Sequence, residues 1–136
     1  MMLEICGQPY EEKTFGSGAK NITSRAEFDV IQQAGVLAFD QIPLLEIDGL
    51  HLVQKFAAVR YLARKFAMYG SSNKEATLCD MIIDGVNDWN AKAENHAKYL
   101  PLIQRLLASN SGGSGFLVGV GMTIADVVVS TYIDLL

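Results

Sequence analysis

Cysteine is scarce in this 136-residue chain, with only Cys6 and Cys79 present. Two thiols are too few for a disulfide scaffold, and neither stands in a Cys-x-x-Cys pair, which argues against dithiol redox chemistry. Free cysteines of this kind are expected to be packing residues. Basic residues are also few: eleven Lys and Arg against fifteen Asp and Glu leave a net charge of -4. They are scattered rather than gathered into a stripe that could follow a phosphate backbone, so nucleic acid is not an expected partner. No apolar run approaches the ~20 residues of a membrane span. The opening Met1-Met2-Leu3-Glu4-Ile5-Cys6 lacks the basic start and long apolar core of a signal peptide. The expected location is the cytoplasm, without membrane attachment. The two histidines, His51 and His96, stand far apart and have no neighbours at ligand spacing, so no metal site is expected.

What is present is apolar residue in quantity, 50% of the chain, enough for one ordinary domain or two small packed units. Leu3 to Gly7 reads as the last turn of a helix closed by glycine, and Tyr10 to Phe15 as a short edge strand. After a loop containing Gly16, Ser17 and Gly18, Ser24 stands three residues before Glu27 in the form of a capping box, which predicts a helix over Ser24 to Gln33. Pro43 to Ile47 and Leu50 to Val53 are short apolar runs joined by Asp48-Gly49, the dipeptide of a tight hairpin turn. A helix over Phe56 to Phe66 follows directly.

Met68 to Asn73, with Gly70, Ser71 and Ser72, reads as a linker, and the remainder is expected to be all helical. Leu78, Met81, Ile82, Gly85, Val86 and Trp89 recur at helical spacing and predict one continuous apolar stripe on a long helix. Leu102, Ile103, Leu106 and Leu107 predict a second helix, stopped by the glycine-rich loop Ser109 to Gly115. Ile124, Val127, Val128, Thr131 and Leu135 predict a third. Trp89 and Tyr132 fall on these stripes and are expected in a core or an interface. Thr123-Ile124-Ala125-Asp126 has the form of an N-terminal cap for the third helix.

The chemistry-bearing candidate is the turn from the second hairpin strand into the next helix. A helix N-terminus presents unpaired backbone N–H groups and the positive end of its dipole, so a carboxylate beside Gln54 and Lys55 could be held there.

Gln41-Ile42-Pro43-Leu44-Leu45-Glu46-Ile47-Asp48-Gly49, followed by Leu52-Val53-Gln54, resembles the end of the thioredoxin-like domain of cytosolic glutathione transferases of the alpha, mu, pi and sigma kind. Phe39 to Asp88 and Phe116 to Asp126 carry the resemblance most specifically. It implies an α/β thioredoxin-like domain, incomplete here, over about residues 1–67 and an all-helical domain over about 74–136. By the same resemblance, the Ile42-Pro43 bond is cis and the backbone before Pro43 pairs with the cysteinyl part of glutathione. Gln54 and its neighbour Lys55 hold the γ-glutamyl carboxylate, and Asp88 reaches across a homodimer to the γ-glutamyl amine. The implied activity is attack of the glutathione thiolate on electrophilic small molecules, a detoxification chemistry, with glutathione as substrate or cofactor and no metal.

The chain departs from that pattern in several places. Lys55 stands where the family has Ser or Thr, and would either replace the hydroxyl's bond with a charge contact or point to solvent. Gln32, Gln33 and Gln41 occupy the stretch where some members place basic or aromatic residues for the glycine carboxylate. The stretch from Asn90 to Tyr99 is shorter than the family's helical hairpin. The opening strand with its thiol-activating Tyr or Ser, and the later C-terminal helices, have no counterpart, so no catalytic residue is assigned. The missing strand would lie between the Tyr10–Phe15 and Pro43–Ile47 strands, which are therefore not expected to pair with each other. A non-catalytic dimerisation or scaffolding module of the same fold is the alternative. A glutaredoxin-like thiol exchanger would need Cys6 exposed with a depressed pKa.

Overall fold

The computed structural model describes residues 2–15, 22–23, 25–90, 96–113 and 115–133. Helix α1 (Met2–Ile5) ends in the predicted way. Gly7 takes φ +63° and its N–H bonds the Glu4 carbonyl at 3.0 Å, while the Gln8 N–H reaches back to Leu3 at 2.9 Å. These two bonds satisfy carbonyls that the last turn would otherwise leave bare. Of the expected Tyr10–Phe15 strand only β1 (Thr14–Phe15) forms, and it pairs in parallel with β2 (Ile22–Thr23), which no pattern in the sequence announced. Two residues are too few to show a period of two.

Helix α2 (Arg25–Gln33) occupies the predicted span. Ser24 and the Gly16–Gly18 loop lie outside the described residues. Strands β3 (Leu44–Ile47) and β4 (Leu50–Val53) form the expected antiparallel hairpin, with Ile47 opposite Leu50 at the turn and Leu44 opposite Val53 at the open end. Asp48 and Gly49 both take positive φ, 51° and 75°, as a two-residue turn matched to strand twist requires. Among the described residues β1–β2 and β3–β4 remain separate pairs.

Helix α3 (Lys55–Lys65) follows β4 with one intervening residue, and α4 (Asn73–Asn90), α5 (His96–Ser109) and α6 (Ile124–Ile133) complete the chain, with a short 3-10 turn at Ser111–Gly113. Two compact units are present, Met1–Val59 and Arg60–Leu136, the division falling within α3. In the first, Met2, Leu37 and Val53 are buried. In the second, α4 packs on α6, and Ile83, Ile124, Val86, Val118 and Cys79 are the largest side chains fully removed from water. Each buried aliphatic side chain of this kind contributes about 1.5–3 kcal/mol.

The buried face of α4 corrects the expected stripe. Cys79, Ile82, Ile83 and Val86 are buried, whereas Met81 is 52% exposed. Both sets have helical spacing, and α6 packs against the one that carries Cys79 and Ile83. The Trp89 side chain and Leu135 lie outside the described residues, and Tyr132 is half-buried.

The cap of α6 also differs in detail. The Asp126 carboxylate accepts the Thr123 backbone N–H at 2.8 Å and the Thr123 hydroxyl at 2.9 Å. The hydroxyl is thus a donor to the acid rather than an acceptor for the helix. The first-turn N–H groups of Asp126 and Val127 bond the Thr123 carbonyl instead.

Candidate functional site

The site is built from the open end of the β3–β4 hairpin. Leu37 is buried and its carbonyl accepts the Asp40 N–H at 3.0 Å, which anchors the turn that delivers Gln41. The Ile42–Pro43 peptide bond is cis. Leu44, the residue after Pro43, stands opposite Val53, the residue before Gln54. Val53 is buried and holds β4 in place.

Gln54 then reverses the chain into α3. Its φ is +70°, and its carbonyl accepts the N–H groups of Ala57 at 2.9 Å and Ala58 at 3.1 Å, so its backbone opens the helix. Its side-chain Nε2 donates to Gln41 Oε1 at 3.1 Å. Gln41, Ile42, Pro43, Gln54 and Lys55 are all exposed and lie together at this end.

The electrostatics favour an anion. The N-terminus of α3 carries roughly half a positive charge, and Lys55 adds a full one. The Lys55 ammonium lies 4.9 Å from the centre of the Phe56 ring, so an aromatic face shares it with water. The far end of the hairpin has a different character. There His51 Nε2 and Glu46 Oε1 are 3.2 Å apart, both exposed. Four of the five predicted site residues, Ile42, Pro43, Gln54 and Lys55, are thus brought together within the first unit. The fifth, Asp88, is exposed on α4 in the second unit.

Asp80, Asp84 and Asp88 follow one another at intervals of four on α4 and share a face. Arg60 on α3 takes the first two: Nε donates to Asp80 at 2.6 Å and Nη2 donates to Asp84. The Tyr69 hydroxyl donates to Asp80 as well. Burial works to raise the Asp80 carboxyl, but the bonds from Tyr69 and Arg60 prevail and hold it below its ordinary range. No motif pointed to this network, whose one legible trace is the four-residue spacing of the three aspartates.

The thiols and the Tyr10 phenol run against nucleophilic chemistry. Cys6 is half-buried and its pKa is raised by loss of hydration. Burial pushes the Cys79 thiol up, against the lowering effect of hydrogen bonds with Thr123 and the Ala125 backbone. The Tyr10 hydroxyl donates to Glu4 at 3.1 Å, and that bond to an acid keeps the phenol protonated. Among the described residues no cluster of three or more His, Cys, Asp or Glu could hold a metal ion, and no helix is long and apolar enough to cross a membrane. The His96 side chain lies outside the described residues.

The chain is similar to known proteins. No family model matches the chain. Over 93% of its length, however, it is 32% identical to glutathione S-transferase A2 of Mus musculus and equally to that of Homo sapiens, spanning 62% of each. The Nu-class GST of Haemonchus contortus superposes with a TM-score of 0.76 at 26% identity, over 96% of this chain and 70% of that one. The chain is glutathione S-transferase-like. Its fold is that of the glutathione S-transferases, with an incomplete thioredoxin-like part followed by helices. The glutathione S-transferase-like chain also matches a monomeric glutathione S-transferase from the hookworm Necator americanus, with a TM-score of 0.77 at 25% identity over 98% of this chain and 71% of that one. It therefore spans just over three fifths of the curated relatives and about seven tenths of the structural ones.

Proposed function

We propose that the chain binds glutathione at the open end of the β3–β4 hairpin and belongs to a protein that conjugates the glutathione thiolate to electrophilic small molecules. The observation that carries this reading is the bond from Gln54 Nε2 to Gln41 Oε1, which brings the residue before α3 beside the residue before the cis Ile42–Pro43 bond. The backbone before Pro43 takes the cysteinyl part of glutathione. Gln54 takes the γ-glutamyl carboxylate, with Lys55 adding charge. Asp88 serves the γ-glutamyl amine of a second subunit in a homodimer. Residues 1–67 form the glutathione-binding part and 74–136 the helical part of a cytoplasmic detoxification enzyme.

Similarity to glutathione S-transferases over nearly the whole chain supports the transferase reading. A second reading, a non-catalytic module of this fold, is favoured by one observation: the Tyr10 hydroxyl is engaged by Glu4 and the Cys79 thiol is fully buried, so neither is presented to a ligand. Calorimetric titration of glutathione into the purified chain separates the two, with turnover of a chromogenic electrophile measured on the same sample. Binding in the micromolar to millimolar range, weakened by about fivefold in Gln54→Ala, supports the site. Binding without turnover supports the non-catalytic module.

A further inference from the structure

We propose that Glu75 is the latch of a strap: it fastens two segments far apart in the chain, 68–72 before α4 and 116–123 before α6, so that they open together while the α4–α6 core stays folded. The glycine and serine of the first segment read as a free linker, and Gly70, Ser71, Ser72 and Asn73 are exposed. The segment is nonetheless tied down along its length. The Met68 N–H bonds the Ala63 carbonyl at 2.7 Å, and the Met68 carbonyl accepts the Ile124 N–H at 2.8 Å. Tyr69 is buried and its hydroxyl donates to Asp80. Ser71 donates twice to Glu75 Oε2, from its backbone N–H at 2.6 Å and its hydroxyl at 2.8 Å.

Glu75 is half-buried and meets both segments. Its Cβ lies against Gly70, and its carboxylate lies against Gly119, where an added Cβ would stand 3.1 Å from Oε1. Asn110 Nδ2 holds that second segment in turn, donating to the carbonyls of Phe116 at 2.7 Å and Gly119 at 2.8 Å. The two bonds from Ser71 keep the Glu75 carboxyl below its ordinary range, so it is charged at neutral pH. Because the Ile124 N–H closes on Met68 rather than on Glu75, freeing Glu75 loosens a bond that Glu75 does not make. Segments with exposed backbone and few buried apolar contacts open at lower cost than a packed core, and these two border the buried Ile83 and Val128.

The test is native-state hydrogen exchange, read residue by residue on the whole chain in low urea. In wild type the Ser71 and Ile124 amides should share one opening equilibrium, with a weaker urea dependence than the amides of Ile83 and Val128. Glu75→Gln should speed exchange at Ser71 and Ile124 alike, by about fivefold, and leave Ile83 and Val128 unchanged. Cleavage after Tyr69 by a chymotrypsin-like protease should rise by the same factor, since it samples the open state. If Glu75→Gln fails to fold, Ser71→Ala, which removes only the hydroxyl's bond, reads the same pair of amides.

Faster exchange at Ser71 alone would overturn the proposal, because the two segments would then open separately. An equal gain at all four amides would also overturn it, in favour of global destabilisation. Exchange of wild-type Ser71 at the rate of an unfolded peptide would mean that the strap is not closed.

Discussion

Asp126 holds Thr123 twice, through its backbone N–H at 2.8 Å and its hydroxyl at 2.9 Å, and with its other oxygen accepts the Leu117 N–H at 2.8 Å. One carboxylate thus fixes both the start of α6 and the loop that precedes it. Removing it leaves two partly buried N–H groups without their acceptor. Asp126→Ala should therefore cost about 3 kcal/mol, whereas Thr123→Ala, which loses only the hydroxyl, should cost about 1 kcal/mol. Urea unfolding followed by circular dichroism measures both. Equal losses would contradict the dominance of the acid.

Gly70 and Gly119 both lie against Glu75. A Cβ on Gly70 would stand 2.5 Å from the Glu75 Cβ, and one on Gly119 would stand 3.1 Å from Glu75 Oε1, both at positive φ. Gly70→Ala and Gly119→Ala should each destabilise the fold by at least about 1 kcal/mol from backbone conformation alone. Combining Glu75→Ala with Gly119→Ala should recover part of the loss, since the clashing atom is then gone. The same combination should not rescue Gly70→Ala, because alanine keeps the Cβ. A thermal melting series over the five variants would show rescue in one case only.

The bonds from Tyr69 and Arg60 make Asp80 a stronger acid when folded than its ordinary value of 3.8. A carboxyl depressed by folding contributes stability that is present above its unfolded pKa and is lost as the pH falls through its folded one. Asp80→Asn should lower the urea midpoint at pH 7, and the gap from wild type should close as the pH falls below that ordinary value. A gap that persists unchanged at lower pH would mean that the charge on Asp80 contributes nothing.

Cys79 is fully buried and Cys6 is half-buried. Native chain treated with a thiol reagent at pH 8 should lose Cys6 first, with Cys79 reacting at the rate of unfolding. Peptide mass mapping over time assigns the sites. Comparable rates in the folded protein would contradict the packing of Cys79 between α4 and α6.

The hairpin was legible because three signals coincide in the thirteen residues from Pro43 to Lys55: apolar runs on either side, Asp48-Gly49 between them, and polar residues immediately after Val53. The cis geometry at Pro43 was legible only through family resemblance, since the dipeptide Ile-Pro does not specify an isomer. The face of α4 was misread because Leu78, Met81 and Ile82 and the set Cys79, Ile82 and Ile83 both satisfy the helical period. The choice between them depends on α6, more than thirty residues away. Arg60 bonding Asp80 and Asp84 escaped for a similar reason, as no local pattern joins charges that meet only when α3 and α4 pack. Gln41 was visible as a polar residue before the Ile42-Pro43 step, but its bond to Gln54 depends on the strand register.

The open end of the β3–β4 hairpin is the proposed meeting place of glutathione and the chain. A ¹⁵N-resolved titration of the labelled chain with glutathione tests this most directly. Progressive shifts should concentrate on the backbone signals of Gln41, Ile42, Leu44, Gln54, Lys55 and Phe56 and on the Gln54 side-chain amide. Shifts confined to other residues, or none at millimolar glutathione in a folded chain, would contradict it.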